Sequence, residues 1–272
     1  MARLSHTHED FILTSASKVL KDALYAMSIL SPNIKTWPSK EYLLQALLLK
    51  LTGFQEQKLK CIRWELATDD YTYRYKHFSS TATIRFSEGS SLDDKNSVFK
   101  DLRTALLEME GTDSYDMFIT TLSQSAYDAA RIELQLLKSS SIYQLIARQC
   151  NDFEDLFNAY LQPGCFCSGD KLLKDCSTCS KDPNKNTPGV IHCFLTIESL
   201  MRKTWELRNK CAHNATSYQS NIHTLKTMSA RGYLYDNYVT SIVLMLWTDS
   251  IFTGMFNRYI ELAKKSRIVL YY

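Results

Sequence analysis

"PSKEYLLQALLLKLTGFQEQKLKCIRWELATDD" occupies residues 38–70. Leu44, Leu47, Leu48, Leu51, Phe54, Ile62 and Leu66 recur in it mostly at three- and four-residue spacings. That period lines them up on one face of an α-helix, and a face this wide must be buried. The pattern predicts a helix from Ser39 to about Ala67. Ser39 is the expected N-cap, and Glu41 sits in the first turn, where an acid meets the positive end of the helix dipole.

Working outward, the same period predicts a helix from Glu9 to Leu30, closed by "SPN" at 31–33. Further helices are expected at Asp93–Met109, Tyr115–Leu137 and Ile142–Ala159, separated by "GTDS" and "KSSS". Others are expected at about Val190–Lys210, Ser217–Ala230 and Tyr233–Lys264. Strand texture is confined to "STATIRFSEGSS" (80–91) and "RIVLYY" (267–272). Only 8 glycines and 5 prolines interrupt 272 residues, which favours long helices. The expected fold class is mainly α with little β structure.

A formal net charge of +3 is too small for bulk electrostatic capture of nucleic acid, although it leaves room for a local basic patch. The most apolar run, Tyr238–Leu262, contains Asp249, Asn257 and Arg258. An unpaired Asp in lipid is costly, so this run is expected to be a core helix and not a membrane span. The N-terminal apolar positions, Phe11 to Ile29, are broken by Lys18, Lys21 and Asp22, unlike a signal peptide. A cytoplasmic protein is expected, with its 8 cysteines as thiols or metal ligands.

"CFCSGDKLLKDCSTC" places Cys165 and Cys167, then Cys176 and Cys179, in two short-spaced pairs. Four such thiolates can converge on a tetrahedral Zn²⁺ at about 2.3 Å, with no position left for substrate, so the metal would be structural. The competing reading is four unrelated surface thiols, an oxidation hazard in clustered form. His192 and Cys193 fit the start of the next helix better than a ligand role. Cys61, Cys150 and Cys211 fall in helical patterns and fill core space.

"WELRNKCAHN" (205–214) is the most chemically loaded segment. Met201, Thr204, Trp205 and Arg208 follow one another at helical spacing, so Arg208 ends a largely apolar stripe and needs a partner. His213 lies five residues on, and a bend near 209–211 would let both side chains enter one cleft. Arginine matches phosphate oxygens with forked donors, and histidine exchanges protons near neutral pH. Together they suit RNA cleavage by the 2′-OH, with no metal required for catalysis. By spacing alone, Arg and His near a helix C-terminus also serve as caps for its last carbonyls.

"LRNKCAHN" resembles the signature of the HEPN family (higher eukaryotes and prokaryotes nucleotide-binding domains): Arg, a polar residue, then His after a gap of four to six. Arg208, Asn209 and His213 match it. The resemblance implies an all-α bundle, with the motif at the end of a late helix beside a core helix carrying an acid. Glu56 in "GFQEQKLK" is similar to that acid, with Glu65 and Asp69 as competitors. On this reading, 1–75 and 190–272 form the bundle, while 76–189 is an insertion bearing the candidate zinc loop at 163–188. The resemblance further implies a metal-independent endoribonuclease, a toxin or effector of prokaryotic antiviral defence. It would act on RNA as a homodimer with a composite site, and have an antitoxin or defence-system protein as partner. Arg208 would hold the phosphate, His213 would serve as acid or base, Asn209 would orient the histidine or hold the phosphate, and Glu56 would position Arg208. The family also contains non-catalytic members that dimerise, bind nucleotide or RNA, or regulate a partner. A third reading is a zinc-stabilised helical protein in which Arg208 and His213 only cap a helix. Lys171, Lys174, Lys181 and Lys185 make the insertion basic, as RNA recognition or a solvated loop would each require.

Overall fold

A computed structural model describes residues 8–30, 34–78, 91–160, 166–168, 171–173, 197–213 and 237–269. Among these the fold is mainly helical. In chain order the helices are α1 (Glu9–Leu13), α2 (Ser17–Ser28), α3 (Trp37–Asp69), α4 (Tyr71–Phe78), α5 (Leu92–Glu110), α6 (Thr112–Ser139), α7 (Tyr143–Tyr160), α8 (Ile197–His213) and α9 (Tyr238–Val269). A two-stranded antiparallel hairpin lies between α7 and α8, formed by β1 (Phe166–Ser168) and β2 (Lys171–Leu173).

The bundle is organised around α9, whose residues are apolar on every side. Every position from Asn237 to Asp249 is buried. A helix buried all round must be surrounded, and α9 packs against α1, α3, α5, α6, α7 and α8. Tyr238–Lys265 is long and apolar enough to cross a membrane, but 83% of its most apolar window is buried inside the protein. Packing against α6 is close: a Cβ on Gly254 would run into the Leu122 side chain. The crossing with α3 is pinned by Gln55, whose Nε2 donates to the Met245 carbonyl (3.2 Å) and to Thr248 Oγ1 (2.9 Å). At the start of α9, the Asn237 side chain accepts from Thr240 N (3.1 Å), and Gln149 of α7 accepts from Tyr238 N (2.9 Å).

Three local expectations are corrected. First, α3 begins at Trp37 with Pro38 in its first turn, so Ser39 is not the N-cap. Proline fits there because the first-turn amides have no intrahelical acceptor. Second, Glu9–Leu30 is two helices with a break at residues 14–16. The break is held from afar. Lys58 Nζ donates to the Thr14 carbonyl (2.7 Å), and Asp249 Oδ2 accepts from Ala16 N (3.0 Å). Third, residues 267–269 belong to helix α9 and are not strand. The other expected strand, up to residue 90, lies outside the described residues, as does the helix expected at 217–230.

Among the described residues of 76–189, helices α5, α6 and α7 pack into the core. Val98, Phe99 and Leu102 of α5, Leu134 of α6, and Phe153 and Phe157 of α7 join the cluster formed by α3 and α9. Helix α5 opens with a reciprocal cap, in which Ser91 Oγ accepts from Asp94 N (3.1 Å) and Asp94 Oδ2 accepts from Ser91 N (3.3 Å). Gly111, at φ +79°, makes the turn between α5 and α6 that L-residues avoid. The hairpin docks on α5, where Leu172 is buried and its N–H donates to Asn96 Oδ1 (3.2 Å).

Candidate functional site

Helix α8 crosses α3 and presents Leu200, Met201, Thr204, Leu207 and Cys211 to the core. Arg208 stands at the border of this face. Its neighbour one turn back, Trp205, is 42% exposed. Thr204 is fixed by bonds from its hydroxyl to the Leu200 carbonyl (3.0 Å) and to Ser241 Oγ on α9 (3.2 Å). This anchors the turn from which Arg208 projects.

Arg208 meets Glu56 of α3, with Nη2 3.4 Å from Oε1. Its Nη1 donates to Asn209 Oδ1 at 3.0 Å. Side-chain exposure is 24% for Arg208 and 13% for Glu56, so the pair lies at the edge of the core and within reach of solvent. The competing acids are engaged elsewhere: Glu65 with His8 (3.0 Å) and Asp69 with the Tyr259 hydroxyl (3.0 Å). Three of the four expected site residues, Glu56, Arg208 and Asn209, therefore come together.

His213 does not join them within one chain. Helix α8 runs unbroken through His213. Five helical residues correspond to about 7.5 Å of rise and about 140° of rotation, so His213 points away from Arg208. It is exposed in the last turn beside Lys210, where a cation complements the dipole.

Lys95 of α5 joins the site, although no motif in the sequence marks it. It is 3% exposed and shares a small cavity with Glu56, Thr204, Trp205 and Arg208. Burial, the largest influence, lowers its pKa to about 8; Glu56 and Asp94 oppose that shift and Arg208 adds to it. The clue was in the spacing: Leu92, Lys95, Phe99, Leu102 and Leu106 form one stripe, and Lys95 occupies an apolar position in it. The cavity measures about 10 Å³, room for about one water molecule.

Of the cysteines proposed for zinc, Cys165, Cys176 and Cys179 lie outside the described residues, and Cys167 is in β1. Among the described residues, no group of three or more His, Cys, Asp or Glu side chains is placed to hold a metal. Cys61, Cys150 and Cys211 are buried free thiols. Burial raises the pKa of each, and that of Cys150 reaches about 12, which suits core filling and not nucleophilic chemistry.

No family model, no curated protein and no solved structure matches this chain.

Proposed function

We propose that this chain is a HEPN-like, metal-independent endoribonuclease that acts in prokaryotic antiviral defence or as a toxin. The observation that carries the proposal is the meeting of Arg208 and Asn209 on α8 with Glu56 on α3. A guanidinium oriented by a carboxylate at a solvent-reachable edge is prepared to receive a phosphodiester.

The position of His213 makes the reading dimeric. Two copies packed with α8 against α8 would bring an exposed His213 toward the Arg208 of the other copy. His213 then removes the proton from the ribose 2′-OH as that oxygen attacks its own phosphorus. The bond from phosphorus to the 5′-oxygen breaks, and the departing oxygen takes a proton from an imidazolium. Arg208 stabilises the pentacoordinate phosphorus, and the products are a cyclic phosphate and a free 5′-hydroxyl. Glu56 and Asn209 hold the guanidinium plane. Zinc on Cys165, Cys167, Cys176 and Cys179 would be structural. An antitoxin or defence-system protein remains the expected partner.

One observation favours the second reading, a non-catalytic module that dimerises and binds RNA or nucleotide. Arg208 is already neutralised by Glu56, and the adjoining cavity has no room for a phosphate. The test is to incubate the full chain with total and transfer RNA in EDTA. Wild-type cleavage giving cyclic-phosphate ends is expected. Arg208→Ala and His213→Ala should each lose most of the activity, and their mixture should regain activity through composite sites. Absence of cleavage by wild type would support the binding module.

A further inference from the structure

We propose that the cleft between α4 and α5 is a second ligand site, and that it takes a small organic cation with an apolar or aromatic body. The cleft has a volume of about 570 Å³, within the range of small-molecule sites. It does not overlap the Arg208 site, and the inference does not rest on the ribonuclease reading.

Leu66 and Tyr259, both buried, form part of its lining. On one wall the rings of Tyr73 and His77 lie against each other with centroids 4.2 Å apart. Facing them is Asp101 of α5, whose Oδ2 accepts from the Tyr73 hydroxyl at 2.8 Å. That bond fixes the carboxylate and leaves it further acceptor sites. Arg63 is buried behind Asp101 and forms an ion pair with it at 3.8 Å; burial raises the Asp101 pKa, and the Tyr73 hydroxyl and Arg63 oppose that shift.

The charge of the lining selects the ligand. Asp69, Asp70, Asp101 and Glu108 oppose Lys76, Lys100 and the Arg63 behind Asp101. Both lysines are exposed and able to extend into water, whereas Asp101 is an inner residue with 17% side-chain exposure. Burial, the largest influence, lowers the pKa of His77 and disfavours its charged form. Aromatic faces beside a fixed carboxylate attract an ammonium group, while the remaining apolar lining accepts its body.

Three probes share one body and differ in charge: phenethylamine, 2-phenylethanol and 3-phenylpropionate. Each is titrated into the full chain by calorimetry and by NMR of the Tyr73 and His77 ring protons. Saturable binding of the amine is expected, at least about ten-fold tighter than that of the other two, in keeping with a charge-assisted contact. Asp101→Asn should remove that preference. Thr104→Trp, at an exposed lining position, should block all three probes by filling the cleft, which provides a second variant if Asp101→Asn fails to fold. Equal binding of the three probes, preference for the acid, or no saturation by the amine at millimolar concentration would each overturn the proposal.

Discussion

Glu56 and Lys58 lie two residues apart on α3 and point in nearly opposite directions, about 200° apart around the helix. Each forms an ion pair. Lys58 faces inward, where its Nζ meets Asp249 Oδ1 at 2.7 Å with side-chain exposures of 0% and 2%. Further bonds to the Thr14 carbonyl and to Thr253 Oγ1 (2.9 Å) complete the shell of the ammonium. Glu56 faces α8, and its pair with Arg208 is longer and partly open, with Arg208 Nε buried and unbonded among the described residues. The closed pair joins three segments of chain, α3, α9 and residues 14–16, and occupies all three donors of the ammonium. The open pair leaves part of the guanidinium within reach of solvent. Burial with full hydrogen bonding marks a structural charge; partial burial with spare donors marks one available to a ligand.

The largest expected effect comes from breaking the closed pair. Lys58→Met leaves Asp249 buried without a cation and Thr14 without its donor, and should cost about 3–5 kcal/mol in urea denaturation. Adding Asp249→Leu should recover part of that loss, because two missing charges are tolerated better than one. Complete recovery would show that the backbone break at 14–16 does not depend on this pair.

Next in size is Arg208→Ala at the open pair. RNA cleavage should fall by about 10²–10³-fold, the usual consequence of removing a transition-state donor. Its urea midpoint should stay close to wild type. A large loss of stability instead would make Arg208 as structural as Lys58.

Lys95 provides a pH test. Its folded pKa of about 8 lies below the ordinary 10.5, so the unfolded chain binds a proton that the folded chain lacks between those values. Stability from this group therefore rises as pH increases from about 8 to about 10.5, and the full penalty is present below pH 8. Lys95→Met should be the more stable protein at pH 7 and should lose this part of the rise. Urea midpoints at pH 7 and pH 10 check the sign.

Smallest is Glu56→Gln, expected to change stability by less than about 1 kcal/mol, because the pair is partly solvated and the amide oxygen still accepts. Cleavage should suffer more than stability does. The reverse result would transfer the character of the closed pair to the open one.

Much of the helical framework was legible because periodicity is local. Helices α5, α6 and α7 begin and end within a few residues of their expected limits. Glu56 was also readable, as a polar residue interrupting an apolar pattern. The break between α1 and α2 was not, because residues 44 and 233 positions away hold it. Likewise, the identity of the face carrying Arg208 depended on where α3 and α5 lie, which spacing along α8 cannot reveal. Lys95 is readable as a charge in an apolar stripe of α5, but only the packing of α3 and α8 over it shows that the position is buried. Whether α8 would bend between Arg208 and His213 was open in the sequence; Cys211 is buried in the core, and the helix runs on through His213.

The central position of α9 has a consequence for synthesis. This helix lies more than 100 residues downstream of α3 and α5, yet it lines the core they share. Until residues 238–269 leave the ribosome, the apolar faces of the earlier helices lack their common partner. Thr204, which anchors the turn bearing Arg208, bonds to Ser241 on that late helix. The turn that bears Arg208 is therefore expected to reach its final packing only after α9 has been synthesised, well after Arg208 itself.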